Sequence, residues 1–130
     1  MPTWALGAYS YAYFMAGRVE DALWMLDRKP RESYRRSHYA FRAAILGALG
    51  RADEARLAVA EALERFPELT VEGFAGTPDW SDAERQRLTD TMRKAGFPAC
   101  AGEEDLKNMP GLKRLPECEA ERAKMAATKS

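Results

Sequence analysis

At 130 residues, with 46% hydrophobic and 31% charged side chains, the chain has the balance of one globular domain and not of a disordered segment. Lys and Arg together number 20, as do Asp and Glu, so no net field draws the chain to nucleic acid or to an anionic membrane. No apolar run reaches the roughly 18 residues that a membrane span needs, and Met1-Pro2-Thr3-Trp4 lacks the basic-then-apolar opening of a signal peptide. A cytoplasmic protein is expected, with neither nucleic acid nor membrane as its partner.

Apolar spacing and breakers predict five helices, over 3–16, 19–28, 33–49, 52–65 and 82–95. Gly17 and Gly50 stand where the first and third of these end, positions that favour a left-handed residue. Arg28-Lys29-Pro30 cuts the second helix short. Ala55, Ala58, Val59, Ala62, Leu63 and Phe66 recur at helical spacing and read as core, and Pro67 stops that helix. Residues 67–80, with Gly73, Gly76 and Pro78, read as a connector. Ser81, with Glu84 three residues on, forms a capping box for the fifth helix, and Gly96 ends it. From Phe97 onward Pro98, Pro110 and Pro116 mark a tail. A weak terminal helix over 117–127 is expected there, with Lys124 to Ser130 frayed.

The segment from Ala12 to Leu23 repeats in that from Ile45 to Arg56. Gly17, Arg18 and Ala22 align with Gly50, Arg51 and Ala55, each 33 residues on. Such a period marks helix–turn–helix repeats of the tetratricopeptide (TPR) kind. Ala22 and Ala55 lie early in the second helix of each pair, where a small side chain lets two helices approach. The expected fold is therefore all-α: a short TPR-like solenoid of two hairpins, a capping helix over 82–95 packed in place of a third repeat, and an irregular C-terminal tail. The division expected is 1–96 for the helical domain and 97–130 for the tail.

Little in the sequence points to chemistry. His38 is the sole histidine, with no second metal ligand or nucleophile at a telling spacing. No phosphate-binding Gly-rich loop, His-Glu-x-x-His or Gly-x-Ser-x-Gly pattern occurs. Glu20, Asp21, Asp53 and Glu54 open helices, where they complement the helix dipole. The chain is accordingly expected to be no enzyme and to need no cofactor or metal. The basic run Arg28, Lys29, Arg31, Arg35 and Arg36 reads as a solvated loop, or as a dock for an acidic partner. Cys100 and Cys118 flank part of the tail. Free thiols are the default for a cytoplasmic protein, and a bridge between the two would close a short loop worth ~3 kcal/mol.

The aromatic residues of the first helix suggest a binding surface. One register turns Trp4, Tyr11, Phe14 and Met15 to the concave side, facing the small side chains Ser37, Ala40, Ala44, Gly47 and Ala48 of the third helix. A groove with an aromatic wall and a small-residue wall would accept an apolar helix or peptide, unless the protein's own tail or a second copy covers it. A protein partner or homo-oligomer is the expected occupant. A small-molecule sensor, or an enzyme accessory using the same groove, is the alternative.

Beyond the generic repeat, Ala16-Gly17-Arg18-Val19-Glu20-Asp21-Ala22-Leu23, Leu49-Gly50-Arg51-Ala52-Asp53-Glu54-Ala55 and Met92-Arg93-Lys94-Ala95-Gly96-Phe97-Pro98 occur in order. With Cys100 and Leu115-Pro116-Glu117-Cys118, this resembles the C-terminal TPR region of bacterial adenylate/guanylate cyclase-like proteins. The resemblance covers most of the chain and implies a regulatory or accessory region. It does not imply cyclase activity, because the paired metal-binding aspartates and substrate-selecting residues of a cyclase catalytic domain have no counterpart here.

Overall fold

The computed structural model describes residues 1–129, which form helices and no strand. The helices are α1 (Thr3–Met15), α2 (Val19–Asp27), α3 (Arg36–Ala48), α4 (Ala52–Arg65), α5 (Val71–Ala75), α6 (Asp82–Ala95), α7 (Glu103–Asn108) and α8 (Pro116–Lys129), with one 3₁₀ turn at Arg31–Ser33. The all-α expectation holds. So do the five expected helices, with one boundary shifted by more than a single residue: α3 begins at Arg36 and not at 33. Tyr34 and Arg35 are extended, and the Arg35 amide donates to His38 Nδ1 at 2.9 Å, so the helix is capped only from that point.

The repeat seen in the sequence is a repeat of geometry. Gly17 has φ 81° and Gly50 has φ 73°. After each glycine an arginine amide reaches back five residues: Arg18 N donates to the Tyr13 carbonyl at 2.8 Å, and Arg51 N to the Leu46 carbonyl at 3.1 Å. This is a Schellman turn, which satisfies carbonyls that a helix end otherwise leaves open. Each arginine then bonds a carboxylate three residues on, Asp21 and Glu54 respectively, at the start of the next helix. Short turns of this kind fold α2 back on α1 and α4 back on α3. Ala22 and Ala55 are fully buried at the two crossings, and Ser10 Oγ donates to the Ala22 carbonyl at 2.8 Å.

α6 packs along α3. The approach is closest at Gly47, where a Cβ would stand 2.8 Å from the Ala95 amide nitrogen and 2.9 Å from the Thr91 carbonyl oxygen. α6 ends like α1 and α3: Gly96 has φ 105°, and Phe97 N donates to the Met92 carbonyl at 3.2 Å. No second helix follows this turn. The chain continues at Pro98 into the tail.

Two segments are more ordered than their composition predicts. Residues 69–76, expected as part of a connector, are buried throughout and include α5. Thr70 caps that helix, accepting from Gly73 N at 2.9 Å. The tail expected to be irregular carries α7 and α8 and is tied to the body. Val71 N and Glu72 N donate to the Pro98 and Ala99 carbonyls, and Lys113 N donates to the Gly76 carbonyl. α8 continues through Lys124 to Lys129, where fraying was expected; Ser130 lies outside the described residues.

Candidate functional site

The six residues expected to line one groove do not share a surface. Phe14, Ala40 and Ala44 are completely buried, and Tyr11 and Met15 are half-buried against the same core. Trp4, in contrast, is 74% exposed. The open aromatic groove is therefore corrected to a filled one. Its occupant is the protein itself, through the segment that follows α4. The Trp80 ring stacks on Tyr11 at 5.8 Å and meets Phe41 at 6.3 Å, while Phe74 meets Phe41 edge-on at 5.7 Å.

Polar bonds hold that plug in place. Trp80 Nε1 donates to the Phe74 carbonyl at 2.9 Å. Arg85, from α6, donates to the Thr77 and Trp80 carbonyls at 3.1 and 2.9 Å. With aromatic rings interlocked from three segments, this face is core and offers no room for a foreign peptide. Trp4 escapes cover because it lies seven residues before Tyr11, about 10 Å along the helix axis, beyond the reach of Trp80.

What stays open is the other side of α1. Met1, Pro2, Trp4, Ala5, Ala8, Tyr9 and Ala12 line a groove of about 570 Å³. Trp4 and Tyr9 stand about 140° apart around the helix and form its walls, with Ala5, Ala8 and Ala12 as the floor. Tyr9 is 51% exposed and Met1 68%. α1 has no charged side chain, whereas every other α-helix of the described residues has at least one. Trp4 alone of the expected groove residues belongs to this surface. Tyr9, Ala8 and Ala12 were not anticipated, although the uncharged stretch from Met1 to Gly17 was visible in the sequence.

Most of the basic run is engaged within the protein. Arg31 pairs with Glu61, Arg36 Nε lies 3.3 Å from Glu68, and the Arg28 guanidinium lies 4.4 Å above the Trp24 ring. Lys29 is buried and donates to the Thr3 carbonyl at 3.3 Å. His38 is half-buried over Gly7, where a Cβ would stand 2.7 Å from its Nε2. Burial, then the charges of Lys29 and Arg35, hold its pKa below the ordinary 6.5. Its Nδ1 accepts the Arg35 amide, so it acts as a neutral capping group. Burial also raises the pKa of Tyr34, whose hydroxyl donates to the Leu26 carbonyl at 3.0 Å. Among the described residues no three His, Cys, Asp or Glu side chains converge as metal ligands.

Cys100 and Cys118 form a disulfide, the bridged one of the two states left open for them and not the free thiols that are the default of a cytoplasmic chain. Beside it sits the most deeply buried acid, Glu72, which the sequence gave no reason to single out. Glu72 Oε1 accepts from Ala101 N at 3.0 Å, and Oε2 from Arg114 Nε at 2.9 Å and Leu115 N at 2.8 Å. Both oxygens of its carboxylate are thus bonded by tail donors, as a buried charge requires. Through these bonds it holds the tail to the body. No helix among the described residues is long and apolar enough to cross a membrane. Comparison with family models, with curated proteins and with solved structures finds no match.

Proposed function

We propose that this chain is a non-catalytic protein-interaction or self-association module, built on two TPR-type hairpins, that docks protein through the outer face of α1. One observation carries this reading: an uncharged helix keeps Trp4 at 74% and Tyr9 at 51% exposure on either side of an alanine floor. Large aromatic side chains around a small-residue floor are the usual anchors of a protein interface. The 33-residue recurrence of the Schellman turn and of the Arg–carboxylate pair supports the TPR assignment. The resemblance to cyclase-associated repeat regions suggests a regulatory place in a larger assembly. A small-molecule sensor working through the inner aromatic groove is disfavoured, because Trp80 and Phe74 occupy that groove. The disulfide weighs against the expected cytoplasmic location, since such bridges persist mainly in oxidising compartments.

Trp4→Ala with Tyr9→Ala tests the reading. Both side chains point away from the core, so helicity and melting temperature should stay close to the wild type while protein association is lost. Association that survives the double variant would refute the α1 face as the docking surface.

A further inference from the structure

We infer that the occupant of the α1 groove is a second copy of the chain, docked antiparallel about a two-fold axis at Ala8. The inference rests on the docking reading above and names its partner.

Charge is the first reason. The groove and its walls present no ionised side chain, so a charged partner surface would be desolvated there without compensation. A second α1 brings a face with the same lack of charge. Antiparallel docking also opposes the two helix dipoles.

Shape is the second. An isologous interface needs a patch that complements itself. The exposed stripe of α1 runs Trp4, Ala8, Ala12 at successive helical turns, large at one end and small at the other. With the axis at Ala8, each Trp4 lies over Ala12 of the other copy. The two Ala8 side chains meet at the centre and let the backbones approach.

Area is the third. An aromatic side chain has about 150–250 Å² to bury, so Trp4 and Tyr9, at 74% and 51% exposure, leave roughly 200–300 Å² open between them. Met1, Pro2 and the alanines enlarge the patch. Doubled across two copies, this lies below the roughly 1,200–2,000 Å² of standard stable interfaces. The expected dimer is therefore weak and concentration-dependent.

Sedimentation equilibrium of the full chain from about 5 µM to 1 mM tests the proposal, with Trp4→Ala and Ala8→Glu as variants and circular dichroism as the folding control. The wild type should rise from monomer to dimer mass. Ala8→Glu sets two carboxylates face to face on the axis and should leave only monomer. Trp4→Ala should weaken the dimer by about thirty-fold or more, as loss of a buried aromatic anchor does. Ala8→Cys adds a test of register: oxidation should link two copies efficiently, whereas Ala16→Cys should not. A wild type that stays monomeric throughout, or a dimer that survives Ala8→Glu, overturns the second-copy assignment. If the wild type is monomeric but another protein binds it and is lost with Ala8→Glu, the second-copy inference fails while the α1 docking reading stands.

Discussion

Phe14→Ala separates the filled inner face from the open outer one. Phe14 is fully buried, 6.5 Å from the Phe41 ring in a core that also takes in Tyr11, Phe74 and Trp80. Removing a buried phenyl ring costs about 3–5 kcal/mol, through lost transfer energy and an unfilled cavity. Domains of this kind hold only about 5–15 kcal/mol in total. Unfolding entropy near 2.1 cal/mol/K per residue gives this chain about 0.27 kcal/mol/K, so the expected fall in melting temperature is roughly 10–20 °C. Trp4→Ala is the matched control. Its side chain is 74% exposed, and such surface changes usually stay within about 0.5 kcal/mol. Melts followed by circular dichroism at 222 nm, at a low concentration where both variants are monomeric, measure the contrast. Phe14→Ala melting within about 3 °C of the wild type would refute the buried assignment and restore the open groove. Trp4→Ala falling as far as Phe14→Ala would show that Trp4 belongs to the core.

Glu72→Gln keeps the shape of the side chain but removes the charge that gathers the Ala101 and Leu115 amides and Arg114; it should cost about 3 kcal/mol or more and open residues 97–129 to limited proteolysis. A tail as resistant as in the wild type would refute the anchoring role. Reducing the Cys100–Cys118 bridge, which spans 18 residues, should lower stability by ~3 kcal/mol in the chain-entropy model. An unchanged melting temperature in dithiothreitol would show that the bridge contributes nothing. His38 sets a pH dependence. Its folded pKa lies below 6.5, so near and below that value the unfolded chain takes up a proton that the folded one refuses. The His38 contribution is fully present above about pH 6.5 and declines as pH falls toward the depressed folded value, by at most about 1.4 kcal/mol per unit. Melts between pH 7.5 and 5.0 should show this loss, and His38→Gln should flatten it; an identical slope in the variant would place the dependence elsewhere.

The elements legible in the sequence are those encoded by neighbours along the chain. Gly17, Gly50 and Gly96 end helices because the next turn needs a left-handed residue, and Ser81 with Glu84 starts one through bonds three residues apart. Local signals of this kind survive any tertiary context. The register of α1 was not legible, because Trp4, Tyr9, Tyr11, Tyr13 and Phe14 distribute aromatics around the whole helix and blunt its periodicity. Which ring is buried is decided by Trp80, 69 residues after Tyr11, and by Phe74, and no local pattern announces either contact. The tail failed to show for the same reason. Glu72 reads as an ordinary surface acid until Ala101, Arg114 and Leu115 fold over it. Thr70, a capping residue just ahead of Val71 and Phe74, was the one available hint that residues 69–76 were not a plain connector.

The two ends of the helical stack are finished differently, and the difference bears on function. At the α6 end the chain supplies its own cover: segment 69–76 is buried, Glu72 collects the tail's donors, and the disulfide closes the tail on itself. The outer face of α6 is polar, with Gln86 and Asp90 exposed and hydrogen-bonded to each other. Stacked helical repeats require such polar outer faces at their ends to stay soluble. α1 has none. Its outer residues Trp4, Ala8, Tyr9 and Ala12 carry no charge, although nearly a third of the chain's residues are charged. The chain thus buries an acid and forms a disulfide to close one end and leaves an indole and a phenol open at the other, the asymmetry on which the proposed docking through α1 rests.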